Sequence, residues 1–418
     1  MKKVVIIGVW LLAYAFAQAR DISLEECINL AVEKSIYTKQ KNIYESVNTL
    51  KKLNYSAAYM PQFKLEANAN YQSDVFAFPL KFPGITIPEV EKLQYQASLN
   101  IYQNIYEGGM VSAGKEAEDA ELEANITSIK VNNHKIKEII SELYFNALMI
   151  TENIKLSNSY IFTIETKQKQ IQALINNGVM LKSAYNQLEI EKLKIYQKIK
   201  ALEQDKQTLL GMLAKWIEDE SIKNANLIQP IIENTNKEIN RPEFEFFSKK
   251  AIVLDKRSNL IKSQIMPNLS AFLKAGYGSP NPFNFFESDF SPFYMLGVKF
   301  QWNVWDWSVN SRNREELNAN KELISLEREN FDKNLQNQLL KETNDIVKYQ
   351  NIINKDMELI ELQKSIVEQF NSQVNNGTVT MSDFISESNN LHQLEINHEI
   401  HKLQLLNAKY NHKLKLGN

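Results

Sequence analysis

The sequence predicts a mainly α-helical fold with a β-sheet part, in which a unit of two strands and a long helix occurs twice. Four blocks without glycine or proline predict long helices, at 115–177, 179–210, 309–376 and 378–416. Three short landmarks recur in the same order in both halves of the chain. Four further segments alternate between apolar and polar side chains, as strands do when one face of a sheet is exposed to water.

The first 19 residues predict a secretory signal peptide. Lys2 and Lys3 form a positive start, residues 4–16 form an apolar run, and Ala17-Gln18-Ala19 has the small-x-small pattern of a cleavage site. An apolar run of 13 residues is too short to span a bilayer. We therefore expect cleavage near Ala19 and an exported chain, rather than a retained membrane anchor.

Charge and cysteine content narrow the function further. Residues 1–19 hold two lysines and no acid, so the net charge of −2 for the whole chain becomes −4 without them. A chain so close to neutral argues against a nucleic-acid partner. A single cysteine, Cys27, rules out an internal disulfide, and its apolar neighbours predict a small packed side chain.

The landmarks define two repeats. A Met-Pro pair opens a predicted strand in each half, an asparagine holds the same place in two matching runs, and an Asn-Asn-Gly motif ends a long helix. The pairs are Met60-Pro61 and Met266-Pro267, 206 residues apart, then Asn104 and Asn303, and Gly178 and Gly377, both 199 residues apart. We assign the first repeat to 20–216, a linker to 217–242 and the second repeat to 243–418.

We predict four strands, at about 61–72, 93–104, 267–278 and 294–305. Their length suits tilted membrane strands better than globular strands, which average about 5–6 residues. Aromatic residues gather at both ends, as in the girdles of a membrane barrel. They are Phe76, Phe78, Phe82, Phe283, Phe285, Phe286, Phe290, Phe293 and Tyr294 near the loops, and Trp302, Trp305 and Trp307 at the opposite end. A water-soluble sheet has the same alternation and remains the alternative.

Four strands are too few to close a membrane barrel, because single-chain barrels begin at about eight. Open edges in lipid leave backbone groups unpaired, at a cost of several kcal/mol each. Membrane strands in this chain therefore require several copies to share one barrel, and three copies supply 12 strands.

The two long helices are predicted at about 110–175 and 309–374, each about 100 Å long at 1.5 Å per residue. Returning helices follow at about 182–216 and 382–415. Asn-Asn-Gly ends both long helices, as a left-handed C-terminal cap does. Apolar stripes predict antiparallel coiled-coil pairing, for example Ile136, Ile139, Ile140, Leu143 and Leu148.

A further helix is predicted to begin at Ser23, where Glu26 three residues later completes a capping box, and to run to about residue 59. Residues 243–264 form its counterpart in the second repeat.

These features resemble the TolC-type outer-membrane efflux proteins over almost the whole predicted mature chain. The resemblance lies in the order and spacing of motifs that are weak one by one: 23–31, Tyr59-Met60-Pro61-Gln62, 102–109, Arg241-Pro242-Glu243 and Asn376-Gly377-Thr378. It implies a homotrimer with a 12-stranded barrel among outer-membrane lipids and a long α-helical tunnel through the periplasm. A periplasmic adaptor protein and an inner-membrane efflux pump or ABC exporter are the implied partners.

The resemblance also implies a gate at the turn into the last helix. One member of the family has a ring of aspartates there, in a Gly-Thr-x-Thr-x-x-Asp-x-x-Asp context. Here Asp383 keeps the first acid and Ser386 replaces the second, while Glu387 lies one turn further on. In a trimer, Asp383 would form an anionic ring at a narrow mouth, with Glu387 as a supplement. The alternative is that Asp383 only caps the helix.

We expect an exit channel for solutes and drugs, and no enzyme, because no catalytic, cofactor-binding or phosphate-binding motif occurs. His392, His398 and His401 lie on one predicted helix, and we interpret them as solvated positions rather than metal ligands. Two alternatives remain open. One is a duct for type I protein secretion, and the other is an exported coiled-coil adhesin or scaffold without a pore.

Overall fold

The computed structural model describes residues 20–75, 84, 90–232, 238–284 and 287–417. The predicted signal peptide, residues 1–19, lies outside the described residues. So do five of the aromatic residues that we assigned to girdles, namely Phe76, Phe78, Phe82, Phe285 and Phe286.

Helices dominate the described chain, and none of them is both long and apolar enough to cross a membrane. The helices are α1 Leu24–Lys34, α2 Ile36–Ala57, α3 Met110–Asn176, α4 Lys182–Ile217, α5 Pro242–Ser263, α6 Val309–Asn375 and α7 Met381–Leu416. The strands are β1 Asp21–Ile22, β2 Gln62–Tyr71, β3 Leu93–Tyr106, β4 Asn226–Leu227, β5 Asn268–Ser279 and β6 Ser291–Gln301. Both long helices have 67 residues, and both returning helices have 36.

The chain forms two compact units, and each takes segments from both halves of the sequence. The first unit comprises the described residues of Met1–Lys39, Lys130–Pro242 and Phe331–Asn418. The second comprises those of Gln40–Ile129 and Glu243–Asn330.

The second unit contains a four-stranded antiparallel sheet in the order β2-β3-β5-β6. The pairing register brings most apolar side chains of the four strands to one face. Leu65, Leu99, Ala275 and Tyr294 form one such row. This face is uncovered in a single chain, because Leu65 is 81% exposed and Leu296 is 73% exposed. The sheet therefore has one apolar and one polar face, and the apolar face has no protein layer on it within the described chain.

The fourth strand ends at Gln301, whereas we expected it to reach about residue 305. Just beyond the strand end, the Trp302 indole N–H donates to the carbonyl of Ile265 at 3.1 Å, next to the start of β5. Trp305 and Trp307 are exposed and stack edge-to-face, with ring centres 5.8 Å apart.

The N-terminal helical segment is interrupted rather than continuous. The Ser23 hydroxyl accepts from the Glu26 N–H and caps α1. The backbone then leaves helical geometry at Ser35, whose hydroxyl accepts from the Tyr37 N–H at the start of α2. Cys27 is fully buried in α1, as predicted, and burial raises the pKa of its thiol to about 12.

The first unit has a core around Tyr144 and Phe145 of α3, both fully buried. The Tyr144 hydroxyl lies 2.8 Å from the carbonyl of Ile22 and 2.7 Å from that of Ile228, so it fixes the parallel pair β1–β4. Charged side chains hold the end of the segment that we predicted as a linker, residues 217–242. Burial of the Glu138 carboxyl opposes ionisation, but Lys415 at 2.8 Å and Arg241 at 3.3 Å outweigh it and lower its pKa.

Candidate functional site

The candidate site is the pair of helical hairpin tips in the first unit, where α3 turns into α4 and α6 turns into α7. Gly178 and Gly377 have φ angles of 71° and 74°, in the left-handed region that glycine enters without steric cost. Each glycine N–H donates to the carbonyl three residues back, and the next N–H donates to the carbonyl five residues back, at 2.9–3.1 Å. These bonds form a Schellman motif, which confirms the left-handed caps predicted at Asn-Asn-Gly.

Asp383 is the third residue of α7 and lies in its N-terminal cap. The Thr380 hydroxyl accepts from the Asp383 N–H at 3.2 Å, while Asp383 Oδ2 accepts from the Thr380 N–H at 3.0 Å and from its hydroxyl at 2.6 Å. These hydrogen bonds hold the pKa of the carboxyl below its ordinary value. Asp383 thus caps the helix, as one of our two interpretations expects, and its side chain is exposed at the tip.

Glu387 lies one turn further along α7 and is half-buried. Its Oε2 accepts from Gln363 Nε2 of α6 at 2.7 Å, and the same amide donates to the Glu387 carbonyl at 3.1 Å. Glu387 therefore links α7 to α6. A spacing of four residues puts it on the same side of α7 as Asp383.

The two returning helices bury different faces. Ala184 and Leu188 of α4 are 8% and 1% exposed, and their counterparts 199 residues later are Asp383 and Glu387. In α7 the buried positions are instead Phe384 and Ser388, one residue later. One residue corresponds to about 100° of rotation on a helix. Relative to the turn that precedes it, α7 is therefore rotated so that the acidic positions leave the packed side.

A buried lysine joins the two tips. Lys167 of α3 is 5% exposed, and its Nζ donates to Asn371 Oδ1 at 2.5 Å and to Asn375 Oδ1 at 3.1 Å, both on α6. The same amine lies 5.1 Å from the ring centre of Phe384 on α7. Burial lowers the pKa of Lys167. Two amide oxygens and an aromatic face thus replace the water around this amine.

His392, His398 and His401, three of the four histidines of α7, are buried or half-buried, so our interpretation of them as solvated positions is wrong. His392 is 8% exposed and stacks on Tyr160 of α3, with ring centres 4.5 Å apart. Burial, with help from Lys198, lowers its pKa to about 4. His401 and His398 both face Asp356 of α6, with Nδ1–Oδ2 distances of 2.7 and 3.7 Å. The pattern misled us because α7 packs against α3, α4 and α6, which leaves little of its surface for water.

No protein-family model matches the sequence, and no curated protein matches it. Solved structures do match. The outer membrane protein VceC from Vibrio cholerae aligns with a TM-score of 0.65 at 13% identity, over 94% of this chain and 94% of that chain. The Campylobacter jejuni CmeC outer membrane channel aligns with a TM-score of 0.66 at 14% identity, over 94% and 85%. The open state of the Neisseria gonorrhoeae MtrE outer membrane channel gives 0.64 at 12%, over 94% and 88%.

The chain has the fold of the outer-membrane channels. This confirms at the level of fold the resemblance that the sequence motifs predict. Because the alignments span 94% of the chain, the channel fold includes the sheet of the second unit as well as the helical hairpins of the first.

Our sequence analysis missed one buried residue of these tips, Lys167, and misassigned another, His392. A signal existed for both. Lys167 interrupts a helical stripe of isoleucines, and His392 continues the spacing of a buried stripe on α7. The stripes are Ile161, Ile164 and Ile171, and Phe384, Ser388, His392 and Ile396. A polar residue in the apolar stripe of a long helix indicates a packed role.

Proposed function

We propose that the chain is one subunit of a trimeric outer-membrane channel, which gives passive exit to solutes or drugs. An inner-membrane pump and a periplasmic adaptor protein would deliver these substrates. The barrel would hold 12 strands, four from each copy, and the long helices would form a coiled-coil tunnel in the periplasm. The fold of outer-membrane channels supports this proposal.

The single observation that carries the proposal is the two-faced sheet. All charged residues of the four long strands lie on one face. Large apolar side chains form the other face, and no protein layer lies on it within the described chain. Such a surface is costly in water and suits lipid. The outer strands of this sheet, β2 and β6, each have an edge without a strand partner in the described chain. Lipid forbids open edges, so neighbouring copies are needed to close the ladder.

At the other functional region, Asp383 would line the periplasmic mouth, with Glu387 beside it. The first tip has no acid between Gly178 and Tyr185, so a ring of charge from Asp383 would have three members rather than six. Exposure of the Asp383 carboxylate at the tip supports this role. Its capping bonds do not compete with a role in the mouth, because both of them fall on Oδ2.

A pair of arginine substitutions tests the membrane sheet. Leu65→Arg adds a charge to the apolar face, and Asn68→Arg adds the same charge to the polar face of the same strand. In lipid, the first change should cost about 2–4 kcal/mol and the second should be nearly neutral. The measurement is the yield of protein in the outer-membrane fraction and of heat-modifiable trimer bands. Equal yields for both variants, or a soluble monomer in the periplasm, would favour the scaffold without a pore.

A duct for type I protein secretion remains the second candidate, because the inner-membrane partner rather than the channel selects the cargo.

A further inference from the structure

The polar face of the sheet is cationic. The long strands carry four charged residues, Lys64, Glu66, Lys274 and Lys299, and the register places all four on this face. Lys64 and Lys274 stand in one row, separated by Asn100, which is 2% exposed. The Asn100 amide donates to Glu66 Oε2 at 3.0 Å, so the only carboxylate of this face is hydrogen-bonded within the sheet.

The same face also carries apolar side chains, at positions where the alternation of the strands would place polar residues. Tyr102, Phe272, Phe293 and Met295 interleave with the polar residues around Lys274. Tyr102 is 42% and Met295 is 41% exposed, whereas Phe293 is 5% exposed. Together with Lys274, we call these four residues the lysine–aromatic patch.

The Phe272 and Phe293 rings lie against the backbone of neighbouring strands. A Cβ atom on Gly297 would come within 2.6 Å of the Phe272 ring, and one on Gly276 would come within 2.8 Å of the Phe293 ring. Glycine at both places therefore leaves room for the rings beside the backbone. Lys274 Nζ lies 5.9 Å from the centre of the Phe293 ring. The amine thus stands above an aromatic floor, in the geometry of a cation–π contact.

We propose that the lysine–aromatic patch binds small aromatic organic anions as they pass through the channel. The inference rests on the proposed function, because the polar face lines the lumen only if the sheet is part of a barrel. An aromatic anion pairs its charge with Lys274, aided by Lys64 in the same row, and lays its ring on Phe272, Tyr102 and Met295. An inorganic anion gains the charge interaction alone, and a cation meets three amines against one hydrogen-bonded carboxylate.

The test is current block in planar bilayers holding the purified full-length channel. The probe is 2-naphthalenesulfonate, and methanesulfonate is its non-aromatic control. We expect the probe to block the wild-type current at concentrations about ten-fold lower than methanesulfonate. Lys274→Gln should raise the half-blocking concentration of the probe about three- to ten-fold. Lys274→Arg keeps the charge above the rings and should retain most of the block.

Lys299→Gln is the matched control, because it removes the same charge from the same face and lies two rows from Lys274. It should shift ion selectivity as Lys274→Gln does, while the block by the probe stays within about two-fold of wild type. The proposed binding patch would be contradicted if Lys274→Gln and Lys299→Gln weakened the block equally, or if both sulfonates blocked equally well. Either result would indicate a lumen that attracts anions by its general positive charge. Absence of any channel in wild-type bilayers would instead contradict the proposed function itself.

Discussion

The two hairpin tips share one backbone plan and present different chemistry. Both long helices have 67 residues, both end in a glycine-centred Schellman motif, and both return through a helix of 36 residues. The first tip has Leu181 at the start of its returning helix, with no side-chain cap. The second has Thr380, which forms a capping box with Asp383.

Repetition of a turn does not fix which side of the next helix is buried. Ala184 and Leu188 pack in the core, and an acid at either place would be buried without water. The equivalent positions in α7, Asp383 and Glu387, leave the packed side because that helix is rotated by about one residue. A symmetric turn can therefore carry acidic residues on one tip alone.

The largest expected effect comes from the core that the tips share. Phe384 is 7% exposed and packs with residues of α3, α4 and α6, whereas its counterpart in the first tip, Tyr185, is half-buried. Phe384→Ala should lower the free energy of unfolding by about 3–5 kcal/mol. Tyr185→Ala should lower it by about 1–2 kcal/mol. The measurement is the urea midpoint of the helical signal in detergent, and equal losses would show that the tips are packed alike.

The next effect is a pH dependence of stability, which only the second hairpin should show. His392 is buried with a pKa of about 4, against an ordinary value of 6.5, and its counterpart in α4 is Leu193, which does not titrate. Between these two pH values the unfolded chain binds more protons than the folded chain, so stability falls as pH decreases from about 6.5 to about 4. The loss should be of the order of 2–3 kcal/mol.

His392→Phe keeps a ring against Tyr160 and should remove that part of the pH dependence. His412→Gln, near the C-terminal end of α7, is the control and should leave it in place. Denaturant midpoints at several pH values give the comparison. A variant with phenylalanine at position 392 that loses as much stability on acidification as wild type would contradict a buried neutral histidine.

Much of this architecture is predictable from sequence because its signals are local. Glycine and proline punctuation gives the long helices, period-two alternation gives the strands, and Asn-Asn-Gly gives the caps. The rotation of α7 is not predictable from the sequence. Either the stripe through Phe384 or the stripe through Asp383 could be the buried one, and only packing against three neighbouring helices decides between them. The burial of Lys167 and His392 depends on the same packing. The early end of the fourth strand is accompanied by a hydrogen bond from Trp302 to a residue 37 positions away, a contact that no local pattern signals.

The sharpest test concerns the acidic tip as the mouth of a channel. Asp383→Ala removes the exposed carboxylate and its half of the capping box, whereas Thr380→Ala removes the N-cap hydroxyl and keeps the carboxylate. Single-channel recordings in planar bilayers, with a trivalent cation added on the side of the helical tunnel, compare both variants with wild type. We expect wild type and Thr380→Ala to be blocked, and Asp383→Ala to conduct more and to be blocked far less. If Asp383→Ala is blocked like wild type, or if Thr380→Ala loses the block as fully, Asp383 is only a helix cap and the acidic mouth is contradicted.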